Sequence, residues 1–383
     1  MRVLHVFYGR DFAGGASYSM ADLVAGLAAR EHDVHCLLSA TPKRIMSEHL
    51  AQHDVICHNG VVPWIVYDAS TRSLSTHIKN FLKWAWWLST CAISEIHALY
   101  IIKRYNIQLV HIGGAVVRTG SVAARIARIP VVWHIREYVE EGHGLGYFPG
   151  TGFYGAVSRA ELLICVSEGL REKFLRRCPK TPSKVIYNGI SIPDTQDSHG
   201  SPSGVYRLMF AGGVNASKGL FLLLEAIRVA GLGSLLTLDI FGRSNIEQGR
   251  ELERYLRDND LEACVSYRGM SSTLAEEYVR HDALVVASVR EAFGRVTAEA
   301  MTLGCLVVGA DSGGTGELLA DGRGVLFESG DVTALADSLR RCVSRDPEHQ
   351  GIRKRARDFA RRNFTTSAYV DSVDLAYTRL DLD

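Results

Sequence analysis

The chain has 383 residues, 47% of them hydrophobic, which exceeds what one ordinary core needs and points to two domains of usual size. Its 43 lysines and arginines nearly cancel 42 aspartates and glutamates, leaving a formal charge of +1. That balance excludes the basic surface of a nucleic-acid binder, and the apolar content excludes a globally disordered chain.

Met1 and Arg2 lead straight into an apolar run, residues 3–8, so the sequence is expected to begin on a strand without a signal peptide. Gly14 and Gly15 then precede a helical pattern over residues 17–30. Glycines at such a corner let the backbone approach a ligand, and a helix start attracts an anion. The spacing is not G-x-G-x-x-G, so a dinucleotide fingerprint is absent. Further strands are expected at residues 34–39, 109–112, 131–135, 163–166 and 185–187, with a helix at 116–128. This alternation implies a parallel sheet covered on both faces.

Within this half, residues 81–102 carry Trp84, Trp86 and Trp87 but are interrupted by Lys83, Glu95 and His97, which argues against a membrane-spanning helix. Lys79, Lys103 and Arg104 flank the stretch. It fits either a helix packed on the sheet or a long surface helix touching a bilayer through tryptophan and lysine. His134 follows the apolar residues 130–133, where a parallel strand would deliver it toward a ligand. Arg136 and Glu137 share its loop and either orient it, touch an acceptor, or form a solvated ion pair.

Residues 193–204 are polar and proline-bearing and read as an interdomain linker. A second β/α series follows, with strands expected at 207–211, 235–241, 265–267, 283–287 and 305–309. Helices are expected at 218–230, 248–259, 274–281 and 296–303, and the tail from residue 333 is largely helical. Three corners of this half draw interest, because ligands of open α/β sheets bind at the carboxyl ends of strands. The first is Gly212 to Gly219, where Lys218 offers a compact positive charge suited to a diphosphate, although the loop is not a Walker motif. The second runs from Glu291 to Glu299, two acids bracketing a strand-to-helix turn at Phe293 and Gly294. The helix start near Gly294 to Val296 can seat a phosphate, leaving one carboxylate for a sugar and the other for a ribose diol. The third is Asp311 to Glu317, whose glycines are also compatible with a plain turn. The cysteines, at 36, 57, 91, 165, 178, 264, 305 and 342, form no C-x-x-C pair and are expected to be buried, reduced thiols of a cytosolic protein. No cluster has metal-ligand spacing, so no metal and no cofactor are expected.

Taken together, these corners resemble the family-4 retaining glycosyltransferases of the GT-B class, over nearly the whole chain and most closely between Leu208 and Phe327. The most specific match is Glu291-Ala-Phe-Gly-x-x-x-x-Glu299-Ala-Met. The resemblance implies an α/β fold of two Rossmann-like doubly wound parallel-sheet domains facing across a cleft. It implies an acceptor domain at 1–192, a linker at 193–205, a donor domain at 206–365 and a C-terminal helix at 366–383 packing back toward the first domain. It also implies that Glu291 lies by the donor sugar, that Glu299 binds the ribose, and that the backbone of Phe293, Gly294, Arg295 and Val296 cradles sugar and phosphate. His134 matches the histidine that bonds the donor sugar, Lys218 the lysine on the diphosphate, and Gly14-Gly15 the glycine loop beside it. Asn188-Gly189 and Gly313 to Glu317 match recurrent elements.

One departure stands out: Gly213 occupies the position where the family carries an arginine on the diphosphate, with Arg295, Arg243 and Arg136 as candidate substitutes. The implied activity is retaining transfer of a sugar from a nucleoside diphosphate sugar, UDP being one candidate nucleotide, to a hydroxyl acceptor. The acceptor is expected to be a saccharide or lipid-linked, as in cell-surface polysaccharide or glycolipid assembly, on a cytoplasmic protein with peripheral contact at the inner face of the plasma membrane. The rival readings are a sugar-nucleotide epimerase on the same fold and a non-catalytic nucleotide-sugar binding protein.

Overall fold

The computed structural model describes residues 1–8, 15–40, 45–69, 74–191 and 204–380. It divides into two compact units: Met1–Gly189 together with Thr366–Asp383, and Ile190–Thr365. The predicted linker, apart from Gly204 and Val205, lies outside the described residues, as does Gly14.

In the first unit the elements run β1 (Arg2–Phe7), α1 (Gly15–Ala28), β2 (Asp33–Ser39), α2 (Ile45–Ala51), β3 (Ile56–Gly60), β4 (Val66–Asp68), α3 (Leu74–Arg104), β5 (Leu109–Gly113) and α4 (Ser121–Ala127). They continue with β6 (Val131–Ile135), α5 (Val139–His143), β7 (Leu145–Tyr147), α6 (Phe153–Val157), β8 (Leu162–Cys165), α7 (Glu168–Leu175) and β9 (Ser183–Val185). Seven strands form one parallel sheet in the order β3-β2-β1-β5-β6-β8-β9, and β4 pairs antiparallel with β7. β1 and β6 are buried almost throughout, as continuous apolar runs covered on both faces should be.

The second unit holds β10 (Tyr206–Ala211), a single 3₁₀ turn (Ala216–Lys218), α8 (Leu220–Ala230), β11 (Leu236–Phe241), α9 (Ile246–Asp258), β12 (Val265–Gly269) and α10 (Leu274–Arg280). After these come β13 (Ala283–Val286), α11 (Arg295–Leu303), β14 (Leu306–Ala310), α12 (Gly313–Leu319), β15 (Val325–Phe327), α13 (Val332–Val343) and α14 (Glu348–Asn363). Its six strands are parallel in the order β12-β11-β10-β13-β14-β15. Local signals set several ends: Asn245 and Gln248 cap α9 reciprocally, and Asp331 accepts the first N–H groups of α13. The final helix, α15 (Thr366–Thr378), belongs to the first unit, where Val370 packs so closely on α1 that a Cβ at Gly26 would stand 2.5 Å from it.

Two sequence expectations are corrected. The helix predicted over 116–128 is confined to α4, because Val117 pairs with Trp64 in an isolated bridge and Gly120, at φ 94°, begins the helix. The glycine corner at 311–317 is the start of a helix, α12. Strands β3, β4, β7 and β15 were not foreseen; each has five residues or fewer and lies at a sheet edge or in the small ladder.

Candidate active site

In the second unit β10, β13 and β14 are neighbours, so the loops at their carboxyl ends converge. The loop after β10 carries Lys218, the loop after β13 carries Glu291 and Phe293, and α12 begins just after β14. Lys218 Nζ donates to Glu291 Oε1 at 2.6 Å, and Ser288 Oγ donates to the same oxygen at 2.7 Å. The three segments are also joined through backbone: Val289 N–H reaches Ser217 O at 3.1 Å, and Gly314 N–H reaches Glu291 O at 2.8 Å.

The glycines here are required by close approach. A Cβ on Gly219, whose φ is 73°, would lie 2.0 Å from Ala287 O. On Gly313 it would meet Glu291 O at 2.4 Å, and on Gly314 it would meet Phe293 O at 2.4 Å. So the Asp311–Glu317 corner has a physical task, which is to let α12 press against the loop that presents Glu291.

Gly294, at φ 88°, opens α11 with no side-chain cap and no acid in the first turn. A helix start leaves its first N–H groups without intrahelical acceptors and carries partial positive charge, which together make an anion seat. Thr297 Oγ1 and Thr315 Oγ1 are buried without partners, and both stand within 3.4 Å of where a Gly294 Cβ would be. Orphaned hydroxyls at a glycine corner are consistent with a ligand's polar atoms completing their hydrogen bonds. Phe293 is itself core, edge-on to Phe364 at 5.4 Å between ring centroids.

Glu299, in the second turn of α11, accepts from Tyr278 OH at 3.0 Å and from Arg295 Nε at 2.8 Å. Burial raises its pKa above the ordinary glutamate value, against the opposing pull of Arg295 and Tyr278. Arg295 is therefore engaged with Glu299. Gly213 carries no side chain, and beside it, across the Val214 N–H to Arg243 O bond of 3.1 Å, sits Arg243, exposed and without an ion pair among the described residues.

The first unit arranges its candidates differently. His134 lies within β6, the strand expected at 131–135, and is fully buried. Its Nδ1 is 3.2 Å from His111 Nε2, while His111 Nδ1 is 2.5 Å from Tyr377 OH and its ring stacks on His5 at 4.6 Å. Burial, with Arg136 adding to it, holds His134 and His111 well below the usual histidine range, and His5 is lowered to about 3. These rings are neutral at physiological pH. His134 Nε2 is buried without a partner. Arg136 and Glu137 are not a solvated pair: Arg136 is buried and donates to Asn188 Oδ1 at 2.9 Å and to Tyr369 OH. Glu137 Oε1 accepts Ala115 N–H at 2.8 Å, holding the turn after β5. Gly15 is the first residue of α1. Sequence reasoning missed Ser288, Tyr278, Thr297 and Thr315, whose only signal is their distance to residues brought close by the sheet order. All eight cysteines are free thiols. Among the described residues no group of His, Cys, Asp or Glu is arranged to hold a metal, and no helix is long and apolar enough to cross a membrane.

Sequence models of two families match this chain: Glycosyltransferase Family 4 over residues 13–192 and Glycosyl transferases group 1 over residues 191–359. An N-acetyl-alpha-D-glucosaminyl L-malate synthase of Bacillus anthracis is 30% identical over 118 residues, covering 30% of this chain and 31% of the relative. A D-inositol 3-phosphate glycosyltransferase of a Nocardioides species is 28% identical over 217 residues, covering 50% and 47%. The chain thus spans about a third to a half of the length of these curated relatives. The crystal structure of Anabaena HepE in complex with UDP and glucose superposes with a TM-score of 0.74 at 20% identity, over 99% of this chain and 100% of that one, which establishes likeness of fold.

Proposed function

Because the chain belongs to the family-4 glycosyltransferases of the GT-B fold, we propose that it moves a sugar from a nucleoside diphosphate sugar to a hydroxyl of a saccharide or lipid-linked acceptor, retaining the anomeric configuration. The observation that carries this reading is the Lys218–Glu291 pair at 2.6 Å, set beside the uncapped start of α11. The UDP complex of HepE makes UDP-sugars the first donors to test.

In this reading the sugar–phosphate bond breaks as the acceptor oxygen bonds to the same face of the anomeric carbon, and the leaving diphosphate takes the acceptor's proton. Charge grows on the diphosphate, where the Lys218 ammonium and the α11 N–H groups stabilise it more than in the ground state. Glu291 fixes Lys218 and accepts from sugar hydroxyls. Ribose hydroxyls replace Arg295 on Glu299, with Tyr278 holding the other oxygen. Arg243 supplies the second cation that Gly213 lacks, since Arg295 and Arg136 are already engaged. His134 offers Nε2 of a neutral ring. Neither metal nor cofactor takes part.

Peripheral membrane contact belongs to the same proposal. Phe81, Leu82, Trp86, Ile93, Ile96 and Tyr100 of α3 are each more than half exposed. The sole acid of α3, Glu95, turns inward to accept Gly120 N–H at 3.1 Å and Ala123 N–H at 3.0 Å. Lys79, Lys83, Lys103 and Arg104 are exposed, so the open face of the helix is apolar and cationic, as an anionic bilayer surface would require.

The deciding experiment incubates the full chain with UDP-sugars and an acceptor panel, following products by proton NMR. Transfer with the donor's anomeric configuration supports the proposal. An acceptor-independent change in a still-joined UDP-sugar would instead identify an epimerase, and nucleotide binding without turnover a binding protein.

A further inference from the structure

A cavity of about 700 Å³ opens in the first unit beside Gln108, Pro130 and Glu161, at the amino ends of β5, β6 and β8. Ligands of such sheets bind at the opposite, carboxyl edge, so donor and acceptor chemistry does not account for it. Four arginines line it, Arg118, Arg125, Arg128 and Arg159, against a single carboxylate, Glu161. Arg118 also faces the charge of Glu95, outside the wall, so Arg125, Arg128 and Arg159 against Glu161 leave two positive charges in excess. Glu161 is itself engaged, since its Oε2 accepts Val131 N–H at 2.6 Å. The guanidinium groups of Arg125, Arg128 and Arg159 make no ion pair and no hydrogen bond among the described residues.

Two further groups point to a ligand. Arg118 donates through Nη1 to Thr151 O, yet its Nε is buried without a partner. Ser121 Oγ, also on the wall, is buried and unpartnered as well. Buried donors left unmatched are costly, and like charges gathered without counter-charges repel one another. A multivalent anion relieves both.

We propose that this cavity is an anion site separate from the candidate active site, taking a ligand with two or more adjacent phosphate-type charges. A single monoanion would leave half of the excess charge uncompensated, and planar guanidinium forks match phosphate oxygens in pairs. A volume near 700 Å³ accommodates a diphosphate with an attached group. The source is either a free phosphorylated molecule or the headgroup of an anionic lipid, which share this chemistry.

The test is hydrogen exchange on the full chain with inorganic pyrophosphate, and separately with vesicles containing phosphatidylglycerol. It compares the wild type with the Arg125→Gln/Arg128→Gln/Arg159→Gln variant. Protection of residues 118–131 by pyrophosphate, weakened at least tenfold in apparent affinity in the variant, supports a free phosphorylated ligand. The same protection from vesicles alone supports a headgroup. Any protection at the Lys218 loop should be equal in both proteins. Thermal melting checks that the variant folds, and Arg159→Gln alone, expected to weaken binding several-fold, replaces it if it does not. Absence of protection at 118–131 with both probes, or equal protection in wild type and variant, overturns the proposal.

Discussion

The two sheets are built alike, yet their candidate residues live in opposite environments. In the second unit, the carboxyl edge is a set of backbone loops pressed together by glycines, with half-exposed charges at its surface. In the first, the candidates are a buried column of neutral histidines and tyrosines roofed by α15. On the proposed function, charge and free N–H groups of the second unit would act on the donor phosphate, whereas His134 in the first would offer a neutral hydrogen bond.

Lys218→Ala should have the largest effect, about 10²-fold in kcat, as is usual when a cation on a developing oxyanion is removed. Turnover assays on purified protein check it, and an unchanged kcat would place the charge stabilisation elsewhere. Next is Gly314→Ala, whose Cβ would enter contact with Phe293 O at 2.4 Å. It should cost about 3 kcal/mol of stability in denaturant unfolding, since backbone must shift. Gly213→Ala, by contrast, meets the side-chain nitrogen of Asn215 at 2.9 Å and Arg243 O at an ordinary 3.6 Å, and should be nearly neutral. Arg243→Ala should raise the donor KM about tenfold with little change in melting, and Gly213→Arg should restore most of it, because an exposed charge-assisted contact to phosphate contributes on that scale.

The pH dependence gives a smaller but more specific test. Burial raises Glu299 above the ordinary glutamate pKa, so it holds a proton more tightly in the folded chain than in the unfolded one. Ionised Glu299 accepts ribose hydroxyls better than the acid does, so nucleotide affinity should fall on acidification with a midpoint above the ordinary glutamate value. The sign for stability is the reverse: a raised carboxyl pKa favours the fold below the unfolded value, and that contribution is lost as pH rises through the folded one. Calorimetric titrations of a nucleoside diphosphate across mildly acidic pH check the first effect. The smallest expected change in turnover comes from Trp86→Ser/Ile96→Ser on α3, which should abolish flotation with phosphatidylglycerol liposomes while leaving activity on a soluble acceptor intact.

Much of the second unit was legible before its coordinates, because its signals are local. Lys218 and Glu291 each follow an apolar strand, and glycines mark the corners. What was not legible is relational. Ser288, Tyr278, Thr297 and Thr315 matter only once β13 lies between β10 and β14. In the first unit the longer strands, such as β1, β2, β5, β6 and β8, are legible too, but the surroundings of His134 are not, because they come from cross-strand register: His5 faces His111 on β5, and β5 sets Gly113 beside His134. Periodicity within one strand does not report what the neighbouring strand presents. The three unpaired arginines among the four that line the cavity beside α4 are not legible for the same reason, since Arg159 joins Arg125 and Arg128 only through the pairing of β6 with β8.

The central claim is that the carboxyl edge of the second sheet seats a nucleoside diphosphate through Lys218 and the start of α11. Calorimetric titration of UDP into the full-length wild type and Lys218→Ala tests it most directly. The account predicts saturable one-site binding in the wild type, weakened at least tenfold in the variant while thermal stability without ligand is unchanged. UDP binding of equal strength in both proteins would contradict it.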